Sequence, residues 1–359
     1  MNKEQLQNYV GVESLSVIEA MKLIDQNAKG IIYIIDMNGH LIGSLTDGDI
    51  RRWILRTGSL SGTVSQMVCK KTRYLFETEA EKYLEFMNIE LINSVPIVDS
   101  EFKLIDIYFR NDNAGEQRRI ENLAALENPV IIMAGGKGMR LRPYTKILPK
   151  PLIPIGDIPI IERILNRFYQ YGIAEFFITL NYKKEMIKSY FAELAPPYKM
   201  NYVEENIPLG TAGSIRLINK KFDRPVIITN CDILIEADYK MMMDYHIESG
   251  NDITVVSSLK NTIIPYGVIH SKEKGIITSM EEKPQLSYFV NTGMYIVNPE
   301  CLNVIPANRV FHMTDLVGKM MNDRKQVGMY PVSENSFLDM GVFEEMKKME
   351  EKINREDLT

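Results

Sequence analysis

The chain has 359 residues, more than one domain of typical size (about 100 to 200 residues) would use, so two or three domains are expected. Its 42 Lys and Arg against 47 Asp and Glu give a net charge of −5, which offers no general attraction to nucleic acid or to an anionic membrane. The composition, 45% hydrophobic and 25% charged, is that of a globular protein. No run approaches the roughly 20 apolar residues of a membrane span, and MNKEQLQNYV lacks the apolar core of a signal peptide, so a cytoplasmic setting is expected. Cys69, Cys231 and Cys301 are odd in number and far apart, which points to neither a disulfide framework nor a zinc site.

Residues 1–112 read as a tandem of one small unit. Ser14 or Ser16 can cap a helix whose Val17, Met21 and Ile24 share a face; strand IIYIID, a turn at Asn38-Gly39 and strand LIGSL follow. In the second copy Thr78 and Glu81 have capping-box spacing ahead of Ala80, Leu84 and Met87, before VPIVD and KLIDIYF. This order, with LIGSLTDGDIRR closing the first copy, resembles a CBS-domain pair. The resemblance implies a regulatory nucleotide between the two halves, with Thr46 and Asp49 on its ribose, and association into a homodimer. The same two residues also suit a plain helix cap before Ile50. The second copy has Ile105-Asp106-Ile107-Tyr108 in place of that signature.

Residues 113–128 are polar and read as a linker. From 129 onward, strand-like runs (VIIM, EFFITL, VIITN, DITVVSS) alternate with helical ones, which argues for an α/β domain over 129–359 with its site at strand C-terminal ends. After Asp339 about one helix remains. Where the first strand ends, MAGGKGMRLRPYTKILPKP packs Gly135, Gly136 and Gly138 with Lys137, Arg140, Arg142, Lys146 and Lys150, and no acid. Glycine lets backbone N–H groups close on an anion and the cations supply opposing charge, so this loop is expected to hold phosphates. It is neither GxxxxGK[ST] nor GxGxxG.

With Arg140, Pro143, Thr145 and Pro149-Lys150-Pro151 at these spacings, the loop resembles the signature of the sugar-1-phosphate nucleotidylyltransferases, departing at Met139, where that family usually has threonine. The resemblance implies a Rossmann-like domain with a mixed central sheet, a nucleoside triphosphate and a sugar-1-phosphate as substrates, and Mg²⁺. Asp232, after strand Val226 to Thr229, and Asp339 in FLDMGVFEE match the metal-ligand motifs. Two such carboxylates would repel each other without a cation between them, and Mg²⁺ on a nucleotide needs few protein ligands. Gly210 and Thr211 in PLGTAG match the loop beneath the base. Gly267 in PYGVI, Glu282 and Lys283 in EEKP, and Asn291 in VNTGMYIV match the sugar and sugar-phosphate contacts.

The attacking phosphate oxygen is already ionised at neutral pH, so the expected chemistry is positioning and charge neutralisation without a general base. Lys150 is assigned to the α-phosphate, Arg140 to the departing pyrophosphate and Lys283 to the attacking phosphate. The four histidines are read as surface or core residues. Glu205 can accept from guanine N1–H and N2–H₂ together, whereas uracil offers one N–H beside two carbonyls, which favours GTP; the alternative is a solvated loop acid. A CBS pair ahead of PLGTAG resembles the glucosamine-1-phosphate guanylyltransferases of bacterial legionaminic acid biosynthesis. Mannose- or heptose-1-phosphate guanylylation, uridylylation and a catalytically inactive nucleotide sensor are the alternatives.

Overall fold

The computed structural model describes residues 3–27, 29–90, 92–110 and 125–356. The chain divides into two units, Met1–Ala124 and Ala125–Leu358.

The first unit is built twice from one plan. In the first repeat β1 (Val10–Val12) pairs parallel with β2 (Ile31–Ile35), which pairs antiparallel with β3 (Leu41–Thr46); in the second, β4 (Leu75–Phe76), β5 (Ser94–Val98) and β6 (Leu104–Phe109) repeat that pairing. The two hairpin turns match in detail. Asp36 Oδ1 accepts from the Asn38 and His40 amides, and Asp99 Oδ1 accepts from those of Glu101 and Lys103. Gly39 takes a left-handed φ of 88° in the first turn, and Phe102 takes one of 67° in the second. A buried hydrogen bond of 2.8 Å between the Tyr33 and Ser94 hydroxyls joins β2 to β5.

Helix Val17–Asn27 buries Val17, Ala20, Met21 and Ile24, and Ser16 caps it, accepting from the Glu19 amide at 3.2 Å. The expected Thr78–Glu81 capping box does not form. Strand β4 runs straight into a 3₁₀ turn, Glu77–Lys82, flanked by Phe76, so Thr78 lies inside the first turn and cannot flank it.

Most of the expected linker, residues 113–124, lies outside the described residues. Residues 125–128 belong to the second unit: Leu126 is buried with its amide on Tyr171 O at 2.8 Å, and Asn128 Nδ2 donates to Pro225 O.

In chain order the main strands of the second unit are β7 (Val130–Ala134), the hairpin β8 (Pro154–Ile155) and β9 (Ile158–Pro159), β10 (Glu175–Leu180), β11 (Lys199–Glu204), β12 (Val226–Asn230), β13 (Ile233–Ile235) and β14 (Ile253–Ile263). They continue with β15 (Val268–Ser271), β16 (Ile277–Glu281), β17 (Gln285–Val297), β18 (Val327–Val332) and β19 (Phe337–Asp339). Seven form one sheet in the order β11-β10-β7-β12-β17-β14-β18. Strand β17 runs antiparallel to both neighbours and the remaining pairs are parallel, so the sheet is mixed.

β7 is buried along its whole length, as its apolar run requires of a central parallel strand. The chain leaves it toward β10 and β11 on one side and returns to β12 on the other. The order therefore reverses between β7 and β12, and a crevice at their carboxyl ends is the expected binding place in such a sheet. Helix Ile160–Gln170 seals one face with Ile160, Ile161, Ile164, Leu165 and Phe168; the Phe168 ring stacks on Tyr239 at 4.6 Å, and each such aromatic contributes about 1.5–3 kcal/mol by burial. Among the described residues no helix is long and apolar enough to cross a membrane.

Candidate active site

Beyond β7 the chain turns through Gly135, Gly136 and Gly138 into a 3₁₀ turn, Met139–Leu141. Gly138 has φ 60°, and a Cβ there would stand 2.8 Å from Thr145 Cγ2 and 3.1 Å from Lys150 Cβ. Thr145 is buried, and its hydroxyl donates to Gly138 O at 2.8 Å. The threonine and the Pro-Lys-Pro segment thus clamp the glycine loop, while Pro151 and Leu152 anchor Lys150 in the core.

Lys150 Nζ reaches across to donate to Asp232 Oδ2, with only 12% and 13% of the two side chains exposed. Asp232 follows β12 and precedes β13, which pairs antiparallel with β19 so that Ile233 faces Asp339; the Met340 amide donates to Asp232 O at 2.9 Å. This ribbon sets the two carboxylates side by side. Burial, and then the Asp232 charge, push the Asp339 carboxyl above the usual carboxylate range, against the Gly341 amide that donates to its Oδ1 at 2.7 Å. Cys231, between Asn230 and Asp232, has its thiol pushed up to about 12 by burial, so no thiolate nucleophile is on offer.

Two cavities meet at this pair. One, of about 510 Å³, is walled by Gly135, Gly136, Gly138, Lys150, Glu205 and Gly210 among others. The second, of about 340 Å³, is walled by Asn291, Thr292, Tyr295, Thr314 and Asp339 among others. Arg140, Thr211, Asn230, Asp232 and His312 line both, so the cavities are two halves of one cleft.

Glu205 is 7% exposed, and its Oε2 accepts from the Leu209 amide at 3.2 Å; burial raises its carboxyl above the ordinary range. It is no solvated loop acid. Its neighbour Glu204, the exposed last residue of β11, pairs with Lys184 and Lys188, which hold it down at about 2. Gly210 has φ 79°, and a Cβ on it would meet Phe311 O at 2.6 Å. Asn291 donates to Tyr295 OH at 2.6 Å, and its Oδ1 accepts from the Gly293 amide.

A nucleotidyl transferase family model matches residues 129–356, well over half of the chain, and a CBS domain model matches residues 12–56. The chain belongs to the nucleotidyl transferase family. Its relatives include a mannose-1-phosphate guanyltransferase of Debaryomyces hansenii, 33% identical over 186 residues, covering 49% of this chain and 51% of the relative. A D-glycero-alpha-D-manno-heptose 1-phosphate guanylyltransferase of Aneurinibacillus thermoaerophilus is 29% identical over 225 residues, 62% of this chain and 97% of that one. A UTP–glucose-1-phosphate uridylyltransferase of Synechocystis is 31% identical over 212 residues. The chain spans about half the length of the mannose and glucose relatives. Among solved structures, HddC from Yersinia pseudotuberculosis matches at TM-score 0.50 and 25% identity, over 63% of this chain and 99% of that one.

Within this nucleotidyl transferase unit, three residues expected at the sugar phosphate are not on the cleft wall. Gly267, Glu282 and Lys283 are exposed and lie at the hairpin β15–β16, beyond the end of the ladder in which β14 and β17 pair out to Ile263 and Gln285; every β16 side chain is exposed. They do keep company, since a Cβ on Gly267 would stand 3.0 Å from Glu282 Oε2.

In the CBS repeat, Thr46 and Asp49 serve each other in a capping box at helix Asp47–Thr57: the Thr46 hydroxyl donates to Asp49 Oδ2 at 2.6 Å, and Asp49 Oδ1 pairs with Arg52. Of the histidines, His246 is core, His40 pairs with Asp36, and His270 is exposed on β15. His312 is exposed, as a surface residue, and lines both halves of the cleft. A histidine where Ser, Thr, Asp or Asn would ordinarily precede a helix, with Asp315 three residues on, was the available signal.

Proposed function

We propose that this chain joins a nucleoside triphosphate to a sugar-1-phosphate with release of pyrophosphate, using GTP and glucosamine-1-phosphate. The observation that carries nucleotidyl transfer is the convergence, at one junction, of the glycine loop, Lys150 and the Asp232–Asp339 pair. Gly135, Gly136 and Gly138 offer backbone donors to the nucleotide phosphates, and Arg140, exposed and shared by both halves, neutralises the departing β,γ-phosphates. Lys150 passes from Asp232 to the α-phosphate, and Lys283, carried on the β15–β16 arm, meets the attacking phosphate.

Two hard oxygen ligands, Asp232 just before β13 and Asp339 at the end of its partner β19, suit Mg²⁺. With two carboxylates from the protein, the ion would take its remaining ligands from water and phosphate oxygens. Bound to Asp232 and Asp339, it would neutralise charge on the reacting phosphates.

Guanine is the preferred base because Glu205, in the nucleotide half, keeps a carboxylate that can accept from N1–H and N2–H₂, and because the mannose and heptose relatives are guanylyl transferases. In this reading Gly210 and Thr211 serve the base, Asn291 serves the sugar from the cleft wall, and Gly267 and Glu282 come to it from the exposed β15–β16 arm. The amino sugar rests on the family resemblance of the CBS-fused arrangement. The N-terminal unit takes a regulatory nucleotide at Thr46 and Asp49, the latter releasing Thr46 and Arg52 to do so.

Pyrophosphate release from each of the four NTPs with a panel of hexosamine, hexose, mannose and heptose 1-phosphates, in Mg²⁺, tests the reading. GTP with glucosamine-1-phosphate is expected to give the highest kcat/KM. A different sugar replaces the acceptor, a preference for UTP removes Glu205 as the selector, and no release with any pair refutes nucleotidyl transfer.

A further inference from the structure

We propose that His312 ties the nucleotide half of the cleft to the sugar half and presents a fixed hydrogen-bond donor to the sugar-1-phosphate, an inference that rests on the nucleotidyl transfer proposed above. Residues 209–213 and 311–313, about a hundred positions apart, are laced together. Phe311 N donates to Leu209 O at 2.9 Å, and Phe311 O accepts from the Ala212 and Gly213 amides at 2.9 and 3.0 Å. Met313 N donates to the Thr211 hydroxyl at 2.9 Å, and Thr211 N donates to His312 Nδ1 at 3.4 Å. The ring also lies flush on the turn: a Cβ at Gly210 would come within 3.1 Å of its Cε1 and Nδ1.

The chemistry follows from the direction of that one bond. An Nδ1 that accepts from an amide has its lone pair free, so the neutral ring carries its proton on Nε2. Nε2 makes no hydrogen bond among the described residues, the side chain is exposed, and the residue lines both halves of the cleft. Capping of the following helix accounts for only the near side of the ring: the His312 side chain faces the Asp315 amide while Asp315 Oδ2 takes the His312 amide at 2.8 Å, and this box makes no use of Nε2. An N–H donor at Nε2 suits a hydroxyl or phosphate oxygen of the sugar-1-phosphate. Its aim is set by Thr211, on the nucleotide turn, so His312 reads one substrate while being positioned by the element that holds the other.

Two substitutions separate the ends of the ring. His312→Asn sets an amide oxygen near the Nδ1 position and lacks the distal donor; His312→Gln sets an amide N–H near the Nε2 position and lacks the proximal acceptor. Steady-state pyrophosphate release by the full chain, with the substrate pair the wild type prefers, reads both. A wild type that releases none refutes the transfer reading itself, so that failure is distinct. For His312→Asn the KM for the nucleotide should stay within about twofold while kcat/KM for the sugar-1-phosphate falls about tenfold, the loss expected of one ligand hydrogen bond. For His312→Gln the pattern reverses, with kcat/KM for the sugar-1-phosphate kept within about threefold and the nucleotide KM raised by about fivefold. Equal losses on both substrates in both variants, with a matching fall in the unfolding temperature, would make His312 a packing residue and overturn the proposal; so would wild-type kinetics in both.

Discussion

Replacing Lys150 by methionine should damage the fold more than neutralising its partner does. Lys150 and Asp232 are each only about one-eighth exposed, and Asp339, itself pushed up by burial, sits against Asp232. Removing one member of a nearly desolvated pair costs about 3–5 kcal/mol, and the open cleft sets the lower end, about 3 kcal/mol. Lys150→Met removes the counter-ion and leaves two carboxylates facing each other. Asp232→Asn loses the same pair but also removes the charge that disfavours ionised Asp339, so part of the loss is returned and the net cost is expected at half or less. At roughly 2–4 °C per kcal/mol for a unit of this size, Lys150→Met should lower the transferase transition by about 6–12 °C. The assay is calorimetric unfolding of the full chain near neutral pH, without and with excess MgCl₂. The added cation should restore stability to Lys150→Met more than to the wild type, because it takes the place the ammonium has left. Equal shifts for the two variants, or equal rescue by Mg²⁺, would refute the reasoning.

Glu205→Gln keeps the size of the side chain and exchanges an acceptor for a donor, so kcat/KM for GTP relative to UTP should fall, by about tenfold if the carboxylate reads guanine; an unchanged ratio takes Glu205 out of the base site. Burial holds the His246 imidazole below its ordinary range, with Thr254 Oγ1 at 2.8 Å and Asn298 Oδ1 at 3.1 Å on its two nitrogens. The unfolded chain therefore takes up that proton first, and the contribution is complete above about pH 6.5 and lost as pH falls below it, at up to about 1.4 kcal/mol per pH unit. Denaturant titrations of wild type and His246→Gln should show this acid slope in the wild type alone. Thr46→Ala breaks the capping box and should cost the N-terminal unit about 1 kcal/mol, read as a lower midpoint for its transition; an unmoved midpoint would leave the two residues free for a ligand.

The parts of the site that were legible in the chain are those whose chemistry is contiguous. A loop that must surround phosphate needs its glycines and cations within one short stretch, and a strand buried on both faces announces where the loop begins. Glu204 and Glu205 show the opposite case. They are adjacent acids in sequence, yet at the end of β11 one points to Lys184 and Lys188 and the other into the cleft, because successive side chains alternate faces. Asn230, two residues before Asp232, lines both halves of the cleft with no motif to mark it, and its place depends on Gly293, where φ is 89° and a Cβ would stand 2.3 Å from Asn230 Nδ2. The wall at 311–313 carries no glycine and no motif of its own; its role comes from hydrogen bonds to a turn far earlier in the chain. The exposed position of Gly267, Glu282 and Lys283 likewise follows from how far β14 and β17 run on together, which residue types do not encode.

The two-stranded ribbon of β13 and β19 has a consequence for how the protein comes into being. All seven strands of the main sheet are present in the chain once Val332 has been made, but Asp339 is not. During synthesis the transferase unit therefore passes through a stage at which its sheet can close around Lys150 and Asp232 while the second carboxylate is still to emerge. At that stage the lysine and aspartate form a balanced pair, and the excess negative charge arrives only with the final strand. A chain truncated just short of residue 339 would keep every strand of the main sheet and hold the Lys150–Asp232 pair without the second carboxylate.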